Sequence, residues 1–174
     1  PLVIGQHGGH FGMTPWAFLE EHQIEIADKW LSWGWSDHKR PKIKPFGNFK
    51  NSFQNVSYAP QGRALMVGMT IPRYSYQMFA FPVASQWLNY FEDQCRFIDE
   101  LPNQLRKHLL VRLYKKDHGW NQKGRWQERY PEILLDNGKL AISKLIEHSR
   151  LYISTYNATT YLESLNWNVP TIIF

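Results

Sequence analysis

One segment of the sequence places hydroxyl, amide and carboxylate side chains between a predicted strand and a predicted helix. It spans residues 154–165 and reads Ser-Thr-Tyr-Asn-Ala-Thr-Thr-Tyr-Leu-Glu-Ser-Leu. Free backbone N–H groups and the positive end of a helix dipole attract phosphate. We therefore predict a phosphate or pyrophosphate site here, with the hydroxyls of Thr159 and Thr160 as further donors. The alternative is that Thr160 and Glu163 form an ordinary capping box.

Two arginines lie in or directly after apolar runs. Arg73 follows the run at residues 64–71, and Arg112 interrupts the run at residues 109–114. A guanidinium in such a place needs an acidic partner or an anionic ligand. We predict that both arginines bind phosphate or a sugar carboxylate. A salt bridge to Asp117, Glu163 or another acid is the alternative.

A glycine-rich turn follows the first predicted strand. Residues 5–10 read Gly-Gln-His-Gly-Gly-His, and the paired glycines allow close backbone approach to a ligand. The spacing is not that of a dinucleotide fingerprint, so we do not predict a nicotinamide site. His7 is a candidate general base or phosphate donor. A metal on His7 and His10 would lack further ligands, and a structural turn is the remaining alternative.

A polar and aromatic loop is predicted from residue 115 to residue 131. It contains Trp120, Arg125 and Trp126, which could close over a donor and stack on a sugar or base. Asp117 in this loop is, with His7, our candidate catalytic residue. A packed surface loop without a ligand is the alternative.

The apolar pattern that positions these groups alternates between strands and helices from residue 63 onward. Such alternation predicts βαβ units, a parallel sheet and ligands at the carboxyl ends of the strands. The predicted strands lie at residues 64–71, 109–114, 133–135, 151–154 and 171–174, and the predicted helices at about 83–101, 139–149 and 160–166.

The first third of the sequence is less regular. A strand at residues 1–4, a helix around 15–24 and a strand at 30–33 precede residues 37–62, whose Lys, Pro, Gly, Asn and Ser predict a linker or long loop. Both ends of the sequence fall within apolar strands, so we expect a piece of a longer protein. We therefore predict the end of one domain with a linker at residues 1–62, and a truncated Rossmann-like domain at residues 63–174.

The composition limits the class of protein. A formal charge of +5 suits a phosphate-bearing ligand or an anionic membrane surface and is too diffuse for duplex DNA. The single cysteine, Cys95, excludes an internal disulfide and is predicted to be a buried structural thiol. The sequence has no long apolar span, no Asp-x-Asp pattern and no phosphate-binding loop of the ATPase type.

Residues 156–163, followed by Asn-Val-Pro-Thr-Ile at 168–172, resemble the donor-site signature of GT-B glycosyltransferases. More narrowly, the chain is similar to bacterial surface-carbohydrate transferases of lipopolysaccharide and capsule synthesis, themselves loosely similar to capsular Kdo transferases. Four short stretches carry this second resemblance: Gln6-His7-Gly8-Gly9, Arg73-Tyr74, Arg112-Leu113-Tyr114 and Gly124-Arg125-Trp126.

The resemblance implies a two-domain, metal-independent enzyme with a cleft between the domains. Residues 1–36 would be the end of the acceptor domain, and residues 63–174 the greater part of the donor domain. The donor would be a nucleotide sugar, with no other cofactor, and the acceptor a surface polysaccharide or lipid-linked glycan. The donor-binding residues would be Arg73, Arg112, Tyr156, Asn157, Thr159, Thr160 and Glu163. It also implies a cytoplasmic location, with contact at the inner membrane left open.

Two other functions stay open at this point. One is a nucleotide-sugar epimerase on the same scaffold, which needs carboxylates around the sugar ring. The other is a non-enzymatic module for single-stranded nucleic acid, which needs basic and aromatic side chains on one exposed face. Because many aromatic residues fall at core-periodic positions, we expect no nucleic-acid partner.

Overall fold

The computed structural model describes residues 1–15, 17, 19–48, 59–74, 84–136, 138–157 and 159–174. Their strands form two separate sheets, one of three strands and one of five. Some predicted features fall outside the described residues. These are residues 16 and 18 of the predicted first helix, residues 49–58 of the predicted linker, and Val83, Asn137 and Ala158.

The first sheet contains three parallel strands in the order β1-β2-β3. They are β1 (Val3–Gly5), β2 (Lys29–Ser32) and β3 (Ile43–Pro45), with helix α1 (Glu20–Ile26) between the first two. Strand β3 lies inside the predicted linker, so that prediction is wrong for residues 43–45. Ile43 pairs with Trp30 of β2 and is 2% exposed, so a single buried side chain anchors this short strand.

The second sheet is built from five parallel strands joined by helices. Its strands are β4 (Arg63–Val67), β5 (Leu109–Arg112), β6 (Leu134–Asp136), β7 (Ser149–Ser154) and β8 (Thr171–Ile173). Its helices are α2 (Trp87–Asp99), α3 (Asn103–Arg106), α4 (Gln122–Arg129), α5 (Ile142–Glu147) and α6 (Thr159–Asn166), and a 3-10 turn at Ala84–Gln86 precedes α2. The predicted parallel α/β arrangement is confirmed.

The strand order is β6-β5-β4-β7-β8. The chain therefore winds outward from β4 through β5 to β6, and then returns to the other side of β4 to form β7 and β8. This is the order of a Rossmann-like, doubly wound sheet. The direction of winding reverses between β4 and β7, and a crevice is expected at the carboxyl ends of these two strands.

Both faces of the sheet are covered, as the apolar run at residues 64–71 predicts. Met66 of β4 packs in one core cluster with α2 and α4 side chains, whereas Leu65 and Val67 pack in a second cluster with residues of α5 and α6. Helix α4 was predicted as part of a loop, and that prediction is wrong. Trp126 and Tyr130, four positions apart, bury this helix against α2.

Candidate functional site

A cleft of about 570 Å³ lies where the winding of the second sheet reverses. Met69, Thr70, Ile71 and Pro72 extend beyond β4 into one wall. Tyr114 and His118 follow β5, and Tyr156, Asn157 and Thr159 join β7 to α6. His7 and His10, from the turn after β1 of the first sheet, complete the lining.

The two sheets meet at this cleft through the turn after β1. The backbone N–H of Gly9 donates a hydrogen bond of 3.3 Å to Oγ1 of Thr159, the first residue of α6. The side chain of Gln6 is buried and holds this turn, because its Nε2 donates to the carbonyls of Gly8 and Phe11. Buried amides of this kind fix a loop, since an unpaired amide would be costly there.

A chain of hydrogen bonds ties the carboxyl end of β4 to that of β7. The N–H of Met69 donates to the hydroxyl of Tyr90 at 2.9 Å. The same hydroxyl is hydrogen-bonded to Oγ1 of Thr155. Oγ1 of Thr155 in turn donates to the carbonyl of Val67 at 2.7 Å. Tyr90 is deeply buried, and its burial raises its pKa far above the usual value. The phenol therefore stays protonated and fixes the floor of the cleft.

Two tryptophans hold the cleft wall from behind. Trp87 Nε1 donates to the carbonyl of Met69 at 3.2 Å, and Trp120 Nε1 donates to the carbonyl of Ile71 at 2.8 Å. Their rings stack on each other with centroids 4.5 Å apart. Trp120 is 5% exposed, so no ring face is open to a ligand. The predicted stacking of Trp120 on a sugar does not fit this placement.

The other candidates of the predicted loop lie outside the cleft lining. Trp126 is 3% exposed and packs edge-to-face on Phe91, so it too is a core residue rather than a sugar platform. Arg125 donates through Nε to the carbonyl of Trp120 at 2.8 Å and so fixes the loop. The carboxylate of Asp117 accepts the N–H groups of Asn121 and Gln122, at 2.8 and 2.6 Å, at the start of α4. That contact is structural, and the catalytic role of Asp117 stays a prediction without support from its position.

The two arginines are held by protein groups. Arg112 Nη1 lies 3.0 Å from Oδ2 of Asp136, and both side chains are largely buried. This is the salt-bridge alternative, with Asp136 as the acid. Arg73 is exposed, with its guanidinium carbon 5.3 Å from the ring centroid of Trp120 and Nη1 3.4 Å from the carbonyl of Gly119. Neither arginine lines the cleft.

Some of the predicted donor-binding residues between β7 and α6 line the cleft, and others do not. Tyr156, Asn157 and Thr159 line the cleft. The hydroxyl of Thr160 instead accepts a 2.7 Å hydrogen bond from Tyr152, and Glu163 lies in the body of α6. Because α6 already includes Thr160, this residue does not occupy the N-cap position of a capping box.

Histidine, hydroxyl and amide groups dominate the polar surface of the cleft. Within the described part of the chain, no Asp, Glu, Lys or Arg side chain belongs to its lining. Burial lowers the pKa of His10 below its usual value, and the neighbouring His7 lowers it further. Burial, helped by the nearby Tyr114, raises the pKa of Tyr156 to about 12, so this phenol is a hydrogen-bond donor at neutral pH.

Several lining residues were not among the predicted site residues. His10 was considered only as a metal ligand, Tyr114 was named only in the family resemblance, and His118 and residues 69–72 were not proposed as site residues. Tyr114 and His118 stack with centroids 6.0 Å apart. The signal was available, because these residues lie in the last positions of predicted strands or in the loops that follow them.

A second cavity of about 300 Å³ lies in the first sheet's unit. Trp35, Glu20, Glu21 and Arg40 provide its aromatic and charged groups. Arg40 forms 2.8 Å ion pairs with Glu21 and with Asp37, and Glu20 accepts the N–H of Gly12 at 2.9 Å. Burial raises the pKa of Glu20 above its usual range.

The described residues contain no group of three or more His, Cys, Asp or Glu side chains arranged to hold a metal ion. Within the same ranges, no helix has the length and apolar character needed to cross a membrane.

The whole chain, residues 1–174, matches the sequence model of a family described as LIC12162 family transferase. No curated protein and no solved structure matches the chain.

Proposed function

Since the chain belongs to the LIC12162 family of transferases, we propose that it is a glycosyltransferase whose donor is a nucleotide-activated sugar. The observation that carries this proposal is the cleft between the carboxyl ends of β4 and β7. In open parallel sheets, nucleotides bind at the point where the strand order reverses. A volume of about 570 Å³ is within the range of small-molecule sites.

The donor would lie across this reversal point. Met69, Ile71 and Tyr114 offer apolar and aromatic surface for the base or ribose. Asn157 and the protonated phenol of Tyr156 offer hydrogen bonds to phosphate or sugar oxygens. Thr159 begins an eight-residue helix, whose first N–H groups and dipole favour negative charge at the same end of the cleft.

Transfer requires that an acceptor hydroxyl attack the anomeric carbon while the bond from that carbon to the donor phosphate oxygen breaks. His7 is exposed at the cleft rim and is our candidate base for the hydroxyl proton. The leaving phosphate gains negative charge, which the α6 helix end and the histidines of the cleft would stabilise. The proposal assigns no metal ion to this step.

The acceptor would approach the cleft from the side of the first sheet (β1-β2-β3). The second cavity there combines an aromatic ring with carboxylates and a guanidinium, groups that suit a hydroxyl-rich glycan. Gly12 and Thr14 line this second cavity, and His10, two residues before Gly12 in the sequence, lines the cleft. One loop therefore borders both the cleft and the second cavity. From the resemblance described above, we propose a bacterial surface polysaccharide or lipid-linked acceptor, met at the cytoplasmic face of the inner membrane.

The epimerase alternative is less well supported. Epimerisation requires carboxylates poised around the sugar ring, and no described residue that lines the cleft is Asp or Glu. The nucleic-acid alternative is also weaker, because the large aromatic residues Trp87, Trp120 and Trp126 lie in the core instead of on an exposed face.

A thermal-shift screen tests the proposal. The chain is heated with CMP, CDP, UDP, GDP or dTDP, and EDTA is present throughout. At about 100 times its Kd, a bound nucleotide stabilises the fold by about 2.7 kcal/mol, which raises Tm by about 5–10 °C in a chain of this size. We expect this shift from one nucleotide base.

Matched asparagine variants locate the site. Asn157→Ala removes a cleft amide, whereas Asn166→Ala removes an exposed amide at the other end of α6. The proposal requires that Asn157→Ala reduce the nucleotide-induced shift and that Asn166→Ala leave it unchanged. Equal shifts in both variants would place the nucleotide elsewhere and contradict the proposal.

A further inference from the structure

Among the described residues that line the cleft, only histidines can supply a full positive charge. They are His7, His10 and His118. A donor phosphate brings at least one full negative charge. The helix end of α6 supplies only about half a positive charge. An imidazolium is therefore the nearest full positive charge that the lining can supply.

The imidazole of His10 and the hydroxyl of Thr159 both line the cleft and both lie close to Gly8. A Cβ atom built on Gly8 would lie 3.1 Å from Nδ1 of His10 and 3.8 Å from Oγ1 of Thr159. The N–H of Gly9 already reaches Thr159. The ring of His10 is fixed by an edge-to-face contact with Phe11, at 4.5 Å between centroids. Glycine at position 8 thus allows the imidazole of His10 to lie against the turn, and a larger residue there would displace the ring.

The surroundings of His10 keep its imidazole mostly neutral until an anion arrives. Burial and the neighbouring His7 both lower its pKa. The other titratable groups that line the cleft are His118 and Tyr114, after β5, and Tyr156, after β7. None of these is a carboxylate. A bound phosphate would supply a negative charge and would favour the imidazolium.

We propose that the donor phosphate binds against His10 and Thr159, and that a proton from solvent moves onto the imidazole of His10 as the phosphate binds. The inference rests on the proposed function, because it concerns the phosphate of the nucleotide donor. It adds that donor binding is coupled to proton uptake at one named residue. His10 acts here as a binding residue that neutralises phosphate charge.

Isothermal titration calorimetry with inorganic pyrophosphate measures this coupling. The titration is run with EDTA at pH 7.5, in two buffers of different ionisation enthalpy, so that the difference in heat counts the protons taken up. We expect uptake approaching one proton, and an affinity that increases by up to about tenfold for each unit by which the pH falls toward 6.5. The same titration is repeated with the nucleotide selected by the thermal-shift screen.

Three variants assign the proton. His10→Gln should abolish the uptake and flatten the pH dependence, while His108→Gln, an exposed histidine at the opposite end of β5, should change neither. Gly8→Ala would place a methyl group 3.1 Å from Nδ1 of His10, which displaces the imidazole, and should weaken pyrophosphate binding several-fold. Circular dichroism establishes that each variant is folded before it is titrated.

The outcomes separate this inference from the proposed function. If the nucleotide binds but uptake is absent, or persists unchanged in His10→Gln, the histidine inference is overturned and the donor site stands. The same holds if the nucleotide binds and pyrophosphate does not. If neither ligand binds the folded chain, both proposals fail.

Discussion

Replacing Trp120 by Phe distinguishes a core residue from a sugar-stacking residue. The smaller ring buries roughly 40 Å² less apolar surface, which costs about 1 kcal/mol at 25 cal/mol per Å². The substitution also leaves the carbonyl of Ile71 without the indole N–H that lies 2.8 Å away. An unsatisfied buried carbonyl costs a further 1–3 kcal/mol or so. We expect Trp120→Phe to lower the free energy of unfolding by about 3 kcal/mol.

Trp167 provides a matched control. It is also buried, but among the described residues its Nε1 has no hydrogen-bond partner. Trp167→Phe buries less apolar surface by about the same amount as Trp120→Phe, but it breaks no hydrogen bond of the indole N–H. It should therefore lower the free energy of unfolding by about 1 kcal/mol or less. Urea unfolding at pH 7.5 measures both variants, and the difference of about 2 kcal/mol corresponds to about 4–8 °C in Tm. Equal losses in the two variants would refute the hydrogen-bond argument. Unchanged stability with weaker donor binding in Trp120→Phe would restore the sugar-stacking role.

Three further predictions concern residues in or near the site. Asp117→Ala removes the carboxylate that accepts the N–H groups at the start of α4, so it should destabilise the protein by about 1 kcal/mol and leave turnover unchanged. A loss of turnover by orders of magnitude in a kinetic assay would instead show that Asp117 is catalytic. Arg112→Ala should lower the free energy of unfolding, measured by chemical denaturation, by about 2 kcal/mol, because the largely buried carboxylate of Asp136 loses its guanidinium partner and retains the N–H of Gly138. Arg112→Met with Asp136→Asn should recover part of that loss. His10 has a lowered pKa in the fold, so the unfolded chain binds more protons and stability should fall as the pH drops below about 6.5. Unfolding at pH 7.5 and 5.5 should show a larger decrease in the unmodified chain than in His10→Gln, and equal decreases would exclude this contribution of His10.

The periodic part of the sequence predicted the fold well because each element there has a strong apolar signal. The run at residues 64–71 predicted a strand covered on both faces, and the structure places Met66 and Leu65 in opposite core clusters. Strand β3 was missed because one buried residue, Ile43, stands among Lys and Pro. Helix α4 was missed because Gly124 and several charged residues surround its single buried aromatic residue, Trp126.

The site was predictable to the extent that it follows from strand ends. Ligands bind at the carboxyl ends of parallel strands, and this rule directed the prediction to the residues after β7. Of these, Tyr156, Asn157 and Thr159 line the cleft. The same reasoning could not pair Arg112 with Asp136, because that requires knowing that β5 and β6 are neighbours in register. Nor does the sequence reveal which aromatic side chains face the core.

Donor consumption tests the central claim most directly. The chain is incubated with an equimolar mixture of CMP-, UDP-, GDP- and dTDP-activated sugars, acetyl-CoA and S-adenosylmethionine, and the products are separated by chromatography. A nucleotide-sugar transferase should release free nucleotide from one nucleotide sugar, and Asn157→Ala should slow that release while Asn166→Ala should not. Consumption of acetyl-CoA or S-adenosylmethionine with every nucleotide sugar left intact would show that this transferase moves a different group, and would contradict the account.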